Sequence, residues 1–433
     1  MRRGDGCAGW CYDTFALAGT AFDVTISHSA GPTPASVIDS RYAWARLSLA
    51  LALGTIGSVG MWSFVVLLPA VQIDFGVARG EASLPYTLTM IGFGAGGIIM
   101  GWLADRRGIV LSAVLGGIVL GVGYMLSGAA GSVWQLALAQ GLLGFGSAAT
   151  FGPLMTEMSY WFDRRRGIAV AIASCGNYLS GVIWPPLIQH FIEIHGWRPV
   201  QIGTGLICIA TILPLALALR RPPPDQAIDS SEDAAGNLDS LGITPNTLMV
   251  LLCVAGLACC VAMSMPQVHI VAYCVDLGYG PARGAEMLSM MLGFGLISRI
   301  AGGVIADRIG GVATLLISAS LQGVALFFYL LFSSLPSLFV ISALFGLFQG
   351  SVVPMYAIIV REYFAPQEAG LRLGVILMAT LGGMALGGWM SGVIFDLTGS
   401  YGAAFVNGLG WNLINVLIVA WLLLRPGRRA VAA

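Results

Sequence analysis

One arginine, Arg299, stands inside an apolar stretch that is long enough to cross a lipid bilayer, and no acidic residue lies beside it there. A guanidinium near the middle of a bilayer costs at least about 2.5–3.5 kcal/mol on insertion scales, so it usually faces a bundle interior or a wet cavity. Its planar fork can hold a carboxylate through two hydrogen bonds. We therefore expect Arg299 to bind a small organic anion. The alternative is that it only ties helices together through backbone carbonyls.

Two similar charged turns follow apolar stretches 202 residues apart, Gly-Trp-Leu-Ala-Asp-Arg-Arg-Gly at 101–108 and Gly-Val-Ile-Ala-Asp-Arg-Ile-Gly at 303–310. An acidic and basic pair at a helix end can cap that helix. It can also bridge to a neighbouring helix end in one conformation and release it in another. A third charged cluster lies at 163–166. The predicted gating residues are Asp105, Arg106, Asp307, Arg308, Asp163 and Arg165.

Two further side chains are candidates for carrying protons. His269 lies in an apolar stretch three residues after Pro266, and histidine titrates near neutral pH. A core histidine with satisfied hydrogen bonds is the alternative. Glu157 lies within two turns of Arg164, so a salt bridge at this place competes with a role in proton coupling.

The composition identifies an integral membrane protein. The 433 residues are 57% hydrophobic and only 10% charged, whereas soluble domains average about 25% charged residues. The formal net charge is zero, which gives no electrostatic basis for binding nucleic acid. The eight cysteines lack metal-binding spacing, and no nucleophile or nucleotide motif occurs. We therefore expect no metal, no cofactor and no enzymatic activity.

Apolar stretches of the length that spans a bilayer occur twelve times. They predict an all-α integral membrane protein with twelve transmembrane helices, at residues 44–70, 83–104, 109–129, 132–157, 167–188, 200–219, 247–272, 284–306, 312–332, 335–360, 371–394 and 402–424.

The arginines test this count, because the chain contains no lysine. With twelve spans, the loops on one side hold only Arg79, Arg198 and Arg283, and most other arginines fall on the side of the two termini. Cytoplasmic loops carry the excess of basic residues. The bias predicts a multi-pass protein of the cytoplasmic (inner) membrane with both termini in the cytoplasm.

The spans fall into two similar halves. Asp105 and Asp307 are 202 residues apart, and so are the aromatic pairs that begin at Trp161 and Tyr363. Several landmarks at one offset indicate a duplicated architecture, and two halves closing over a midplane site are a transporter design. The predicted domains are a flexible tail at 1–40, six-helix halves at 41–221 and 247–425, a cytoplasmic linker at 222–246 and a short tail at 426–433.

The Gly-x-x-x-Asp-Arg-x-Gly turn of both halves resembles the signature loop of the major facilitator superfamily, and the resemblance covers nearly all of residues 41–425. The stretch Trp-Phe-Asp-Arg-Arg-Arg-Gly-Ile-Ala-Val-Ala-Ile-Ala-Ser-Cys-Gly at 161–176 is similar to the helix 5 motif of monocarboxylate transporters. Asp-Ser-Arg-Tyr-Ala-Trp at 39–44 resembles the start of their helix 1. Arg299 falls where that family carries its substrate-binding arginine.

The chain departs from that family at the residues that carry protons. The resemblance places an aspartate one helical turn before the arginine, where this chain has Gly295, and a lysine in helix 1, where it has Trp62. An oxalate-type relative has a lysine in helix 11, whereas this span has no basic residue beyond Arg372 at its end. An anion-binding arginine without the proton-carrying pair is implied, and a dicarboxylate substrate is disfavoured.

The resemblance further implies that helices 1, 5 and 10 line the transport cavity. The predicted substrate-binding residues are Arg299, Trp62, Asn177, Tyr178, Gln349 and Tyr356. For Trp62, packing against lipid or neighbouring helices is the alternative.

These observations predict a secondary transporter that moves a small organic monocarboxylate by alternating access, as a monomer in the lipid bilayer. The missing proton pair favours anion exchange or weak proton linkage. Efflux of apolar drugs, with Arg299 as a packing tie, is the alternative within transport. A non-transporting membrane sensor is the alternative from another class.

Overall fold

The computed structural model describes residues 38–221, 242–364 and 366–425. Most of the predicted N-terminal tail, most of the predicted linker and the C-terminal tail lie outside these residues. The described part contains helices and turns only. We label the helices α1 (Arg41–Phe75), α2 (Arg79–Arg107), α3 (Ile109–Ala129), α4 (Val133–Ser147 and Gly152–Ser159), α5 (Arg166–His195), α6 (Trp197–Leu217), α7 (Pro245–Asp276), α8 (Pro281–Ile309), α9 (Gly311–Leu331), α10 (Leu335–Tyr363), α11 (Pro366–Thr398) and α12 (Tyr401–Leu424).

The twelve predicted spans correspond one by one to these helices, so the all-α prediction is confirmed. Eleven of the described helices are long and apolar enough to cross a membrane. The other, α4, is divided by a short 3-10 turn at Ala148–Thr150. Most helices extend beyond the apolar stretch by a few residues. One consequence is that Arg79, which we expected in a loop, is the first residue of α2 and is only 6% exposed.

The duplication is visible in the backbone. Gly76 and Gly278 both have positive φ, at 62° and 80°. Gly108 and Gly310, which end the two charged turns, have φ of 87° and 84°. Glycine adopts this region without the steric penalty that a Cβ brings. Each pair is separated by 202 residues, so the two six-helix pseudo-repeats share their turn geometry as well as their order of helices.

Glycines also set the packing inside each half. A Cβ on Gly144 would overlap the carbonyl oxygen of Thr89, and a Cβ on Gly346 would overlap that of Met291. These two contacts are counterparts, since each partner in the second half is again 202 residues further on. They bring α4 against α2 and α10 against α8. Small residues allow such close backbone approach in membrane bundles.

The most extensive contacts between the two halves involve four helices. α2 packs against α11, and α5 packs against α8. Within the halves, α3 packs against α6 and α9 packs against α12. Any movement of one half relative to the other therefore has to change the α2–α11 and α5–α8 contacts.

The bundle has two chemically different ends. We call the end that carries Arg106, Arg164 and Arg308 the arginine-rich end, and the end that carries Arg79 and Arg198 the opposite end. All hydrogen bonds between the two halves in the described ranges lie at the opposite end or in the middle of the bundle. The hydrogen bonds that join the halves in these ranges thus lie at the opposite end and in the middle of the bundle.

The overlap at Gly346 gives a test of the close packing. We expect Gly346→Ala to lower the free energy of unfolding by about 1–3 kcal/mol, the usual cost of overpacking, measured by thermal unfolding in detergent. Gly410→Ala is the matched control, because no atom lies within 4 Å of its Cβ position. Equal stability of the two variants would contradict the packing described here.

Candidate substrate site and gates

Arg299 lies on α8 at the interface with α5 of the other half. Its Nη1 donates a hydrogen bond to the carbonyl oxygen of Ser174 at 3.2 Å, and its Cζ is 4.3 Å from the centre of the Tyr178 ring. Its Nε is buried without a hydrogen-bond partner among the described residues. No carboxylate in the same ranges forms an ion pair with it. The guanidinium therefore retains the capacity to bind an anion.

One face of α5 organises the surroundings of this arginine. Ser174, Asn177, Tyr178 and Gly181 follow the i, i+3, i+4, i+7 spacing of a helix face. The Nε1 of Trp62 donates to Asn177, whose backbone oxygen and Oδ1 lie at 3.0 and 3.1 Å. The same face thus contacts α1 within its own half and α8 in the other half.

The structure accordingly brings four of the predicted substrate residues together: Arg299, Tyr178, Asn177 and Trp62. A Cβ on Gly181 would lie 3.2 Å from the Trp62 ring and would overlap the side chain of Leu292 on α8. Trp62 is 3% exposed. Its indole packs inside the bundle, which excludes the lipid-facing alternative for this side chain.

The glycine that departs from the family pattern has a physical explanation. A Cβ on Gly295 would lie 2.5 Å from Cε1 of Tyr178. The tyrosine ring therefore occupies the space that a side chain at residue 295 would need. Because the ring also packs against the Arg299 guanidinium, its π-face takes the place beside the cation. A neutral partner leaves the positive charge unneutralised.

The other two predicted substrate residues, Tyr356 and Gln349, make no hydrogen bond with Arg299 among the described residues. The Tyr356 hydroxyl donates to Oδ1 of Asn415 at 3.3 Å, between α10 and α12. Gln349 is fully buried, and neither polar atom of its amide has a partner in the part of the chain that the structure describes. No hydrogen bond or ring contact in that part connects either residue to Arg299. Helical position alone could not show this, because both residues belong to a helix predicted to line the cavity.

Glu157 forms the predicted salt bridge with a different partner. Its Oε1 lies 2.6 Å from Nη2 of Arg46 on α1, and it also accepts a hydrogen bond from Nε1 of Trp161 at 3.1 Å. We expected the arginines that follow α4 to be its partners. Instead α1 begins at the same end of the bundle and places Arg46 closer.

The two stretches that resemble monocarboxylate transporters contact each other. The Oδ2 of Asp39 accepts a hydrogen bond from the backbone N–H of Arg164 at 3.0 Å. The rings of Trp44 and Phe162 meet edge to face with centres 5.2 Å apart. The start of α1 is thereby attached to the turn between α4 and α5.

The predicted gating residues all lie at the arginine-rich end and are exposed. They form no ion pair among the residues that the structure describes. Arg106 packs over the ring of Trp102 at 4.6 Å. These six side chains therefore provide no charged link between the halves within the described ranges. These residues are Asp105, Arg106, Asp307, Arg308, Asp163 and Arg165.

A charged contact that the sequence did not reveal closes the opposite end. The Arg79 guanidinium on α2 forms an ion pair with Asp276 on α7. It also donates to the Tyr401 hydroxyl at 3.0 Å. That hydroxyl lies 2.9 Å from Nδ1 of His269. Asp396 accepts hydrogen bonds from the backbone N–H groups at the start of α2. We call Arg79, Asp276, Tyr401, His269 and Asp396 the Arg79 cluster. Their distance in sequence, up to 322 residues, explains why no local pattern indicated it.

Two cavities of about 300 Å³ lie elsewhere than at Arg299. One is at the opposite end beside Glu81 and Trp134, and the other runs along α1 beside Ser48 and Thr55. Neither is lined by Arg299. The assignment of the substrate site therefore depends on the unpaired guanidinium and not on the shape of a pocket.

Twelve helices in two pseudo-repeats, joined through α2, α5, α8 and α11, define a multi-pass membrane carrier. The chain belongs to the Major Facilitator Superfamily, whose family model matches residues 50–337 and 250–432.

Individual proteins that are similar to this chain are also transporters. The chain is 30% identical over 372 residues to monocarboxylate transporter 13 of Rattus norvegicus, covering 82% of each chain. It is 26% identical over 332 residues to the agnestins efflux protein AgnL12 of Paecilomyces divaricatus, covering 74% of this chain and 73% of the relative. The fold is similar to a bacterial homologue of the human lysosomal transporter Spinster, with a TM-score of 0.67, 16% identity and coverage of 89% and 97%.

The contact between Gly295 and Tyr178 can be tested with a double-mutant cycle. We expect Gly295→Ala to destabilise the protein by about 1–3 kcal/mol, because the added Cβ displaces the ring. In a Tyr178→Ala background this penalty should disappear, since the space is then free. Thermal unfolding of the four proteins measures the coupling, and additive effects would show that the two residues do not compete for space.

Proposed function

We propose that this protein is a secondary transporter that carries a small organic monocarboxylate across the cytoplasmic membrane by alternating access. The observation that carries the proposal is Arg299. It is a guanidinium at the junction of the two halves, its Nε has no partner among the described residues, and its neighbours Tyr178 and Ser174 bring no negative charge. A bound carboxylate would supply that charge.

The surroundings of Arg299 favour one carboxylate on a compact apolar body. The guanidinium can hold a carboxylate through two hydrogen bonds, while the rings of Tyr178 and Trp62 offer apolar walls. A second carboxylate would need a second cation, and α11 has no basic residue beyond Arg372, which pairs with Glu368. Similarity to monocarboxylate transporter 13 supports the same substrate class.

The distribution of arginines supports an orientation. Because basic residues concentrate on cytoplasmic loops, we place the arginine-rich end in the cytoplasm, together with both termini. The structure then represents the state that is closed on the outer side. Asp105 and Asp307 are expected to engage neighbouring helix ends when the cytoplasmic side closes, as gating residues do in alternating access.

The departures at Gly295 and Trp62 support anion exchange or weak proton linkage. The residues that would carry a proton beside Arg299 are replaced by groups that do not titrate, and Glu157 is held by Arg46 within one half. The empty arginine would have to be hydrated or refilled by a second anion before the carrier returns. Exchange of one anion for another meets this requirement without a proton.

The role of Arg299 can be measured directly. We expect Arg299→Gln to reduce uptake of a pyruvate- or lactate-like acid by proteoliposomes by about tenfold to a hundredfold. This is the effect of losing a hydrogen bond to a charged group, about 1.5–3 kcal/mol. Carboxylates that raise the unfolding temperature of the wild-type protein in a thermal-shift screen should not raise that of the same variant. Arg283→Gln, which removes an exposed arginine paired with Glu286, is the control. Unchanged uptake in Arg299→Gln would refute the substrate site.

The coupling mode has a separate test. We expect an acidic exterior to drive little net accumulation of the acid in proteoliposomes. Preloading the vesicles with a second monocarboxylate should accelerate uptake, because the internal anion can bind to Arg299 before the carrier returns to the outer side. Robust accumulation driven by the pH gradient alone would contradict this coupling mode and leave the substrate site untouched.

Similarity to a fungal efflux protein supports a second candidate, the export of apolar compounds, in which Arg299 would serve only as a tie to α5. Competition separates the two candidates. Small organic acids should inhibit transport of the labelled acid, and an apolar dye should not. A non-transporting sensor would show no flux of either compound.

A further inference from the structure

The Arg79 cluster joins the two halves through both the backbone and the side chain of one residue. The backbone N–H groups of Arg79 and Gly80 donate to the two carboxylate oxygens of Asp396 at 2.8 and 2.7 Å. A carboxylate at the end of α11 thus caps the first turn of α2, where free N–H groups favour an anion. The Arg79 side chain, 6% exposed, pairs with Asp276.

The duplication shows that this contact is specific to the interface between the halves. In the first half Asp74, the counterpart of Asp276, pairs with Arg198 at 2.5 Å. Both residues of that pair belong to the same half. In the second half Tyr401 lies two residues after the turn glycine Gly399, as Arg198 lies two residues after Gly196. Asp276 pairs with Arg79 of the other half.

The hydrogen bonds of His269 have a defined direction. Its Nε2 lies 2.8 Å from the carbonyl oxygen of Gly388, and a carbonyl only accepts, so Nε2 carries a hydrogen. In the neutral imidazole Nδ1 then accepts from the Tyr401 hydroxyl. The same hydroxyl oxygen accepts from Nη1 of Arg79. With a neutral His269, the chain of donors runs from Arg79 through Tyr401 to Nδ1.

We propose that the Arg79 cluster is the outer gate of the transporter and that His269 is its proton sensor, because the gate closes in this geometry only around a neutral imidazole. The assignment of this gate to the outer side of the membrane rests on the proposed function. The gate and its sensor rest on the contacts described above, and they can be tested without any substrate.

The charged groups around His269 determine the sign of the effect. Arg79 on α2, Asp276 on α7, Asp396 on α11 and the phenol of Tyr401 on α12 face it. The oxygens of both carboxylates are occupied by Arg79 and Gly80, and neither carboxylate is hydrogen-bonded to the imidazole. A proton on Nδ1 would leave the hydroxyl hydrogen of Tyr401 without its acceptor. It would also create a second positive charge that only the Tyr401 hydroxyl separates from the Arg79 guanidinium.

The closed gate must therefore release this proton, and a state that forms by releasing a proton is favoured at high pH. Acid on the outer side shifts the carrier toward the open gate, in which His269 can be protonated. This device responds to external pH. It does not carry a proton across the membrane, since the proton leaves on the side from which it came.

Distances between spin labels on the two halves measure the gate. The labels are placed at Ile73→Cys and Leu397→Cys in a background without native cysteines. Both positions are 80% exposed and lie at the opposite end. We expect a short distance at pH 8 and a growing population at longer distance toward pH 5, a range that brackets ordinary histidine titration near 6.5. Arg79→Gln should raise the open-to-closed ratio at pH 8 at least about tenfold, as the loss of charge-assisted hydrogen bonds predicts.

His269→Gln tests the sensor, because glutamine keeps one donor for Gly388 and one acceptor for Tyr401 but cannot be protonated. The gate should stay closed at both pH values in this variant. An unchanged acid response would overturn the sensor and assign the response to the carboxylates. If neither Arg79→Gln nor a second variant, Asp276→Asn, lengthens the distance between the labels, the Arg79 cluster is not a gate. Arg198→Gln, which removes an ion pair within one half at the same end, should leave the distances unchanged.

Discussion

A charge inside a membrane-spanning bundle has to be paired or hydrated, and this constraint accounts for three buried or half-buried arginines of the chain. Arg46 is paired with Glu157 inside the first half. Arg79 is paired with Asp276 across the halves. Arg299 has no acidic partner among the described residues. A pair within one half can persist through the transport cycle, whereas a pair across the halves must break when that end opens. We propose that the third arginine, which has no acidic partner in the described ranges, is available to a ligand.

The duplication supplies the geometry that these charges use. Turn glycines and close glycine contacts recur at a constant offset, so the two halves position their helices in the same way. What differs is the chemistry placed on that common backbone. Asp74 and Asp276 occupy equivalent positions, yet one meets an arginine of its own half and the other meets Arg79. The same carboxylate position thus makes a pair within one half in the first case and a contact between the halves in the second.

The surroundings of Arg299 show a related substitution. Where the resembling family has a titratable residue one turn before the arginine, this chain has Gly295 and fills the space with the ring of Tyr178. An aromatic face stabilises a cation by about 0.5–2 kcal/mol without neutralising it. Under the proposed function, the site keeps its attraction for an anion while lacking a group that could release a proton. Substrate recognition and proton coupling would then depend on different residues.

The sequence by itself determined the membrane class, the number of helices, the duplication and the isolated cation. Each of these depends on hydrophobicity or spacing along a continuous stretch, which local composition records. The tertiary structure alone decided which residues meet. It placed Tyr178, Asn177 and Trp62 near Arg299, and it hydrogen-bonded Tyr356 to Asn415. It paired Glu157 with Arg46 and brought the residues of the Arg79 cluster together from four helices. A contact between helices depends on the rotation and approach of both, and no residue pattern in one helix specifies the face that its distant partner presents.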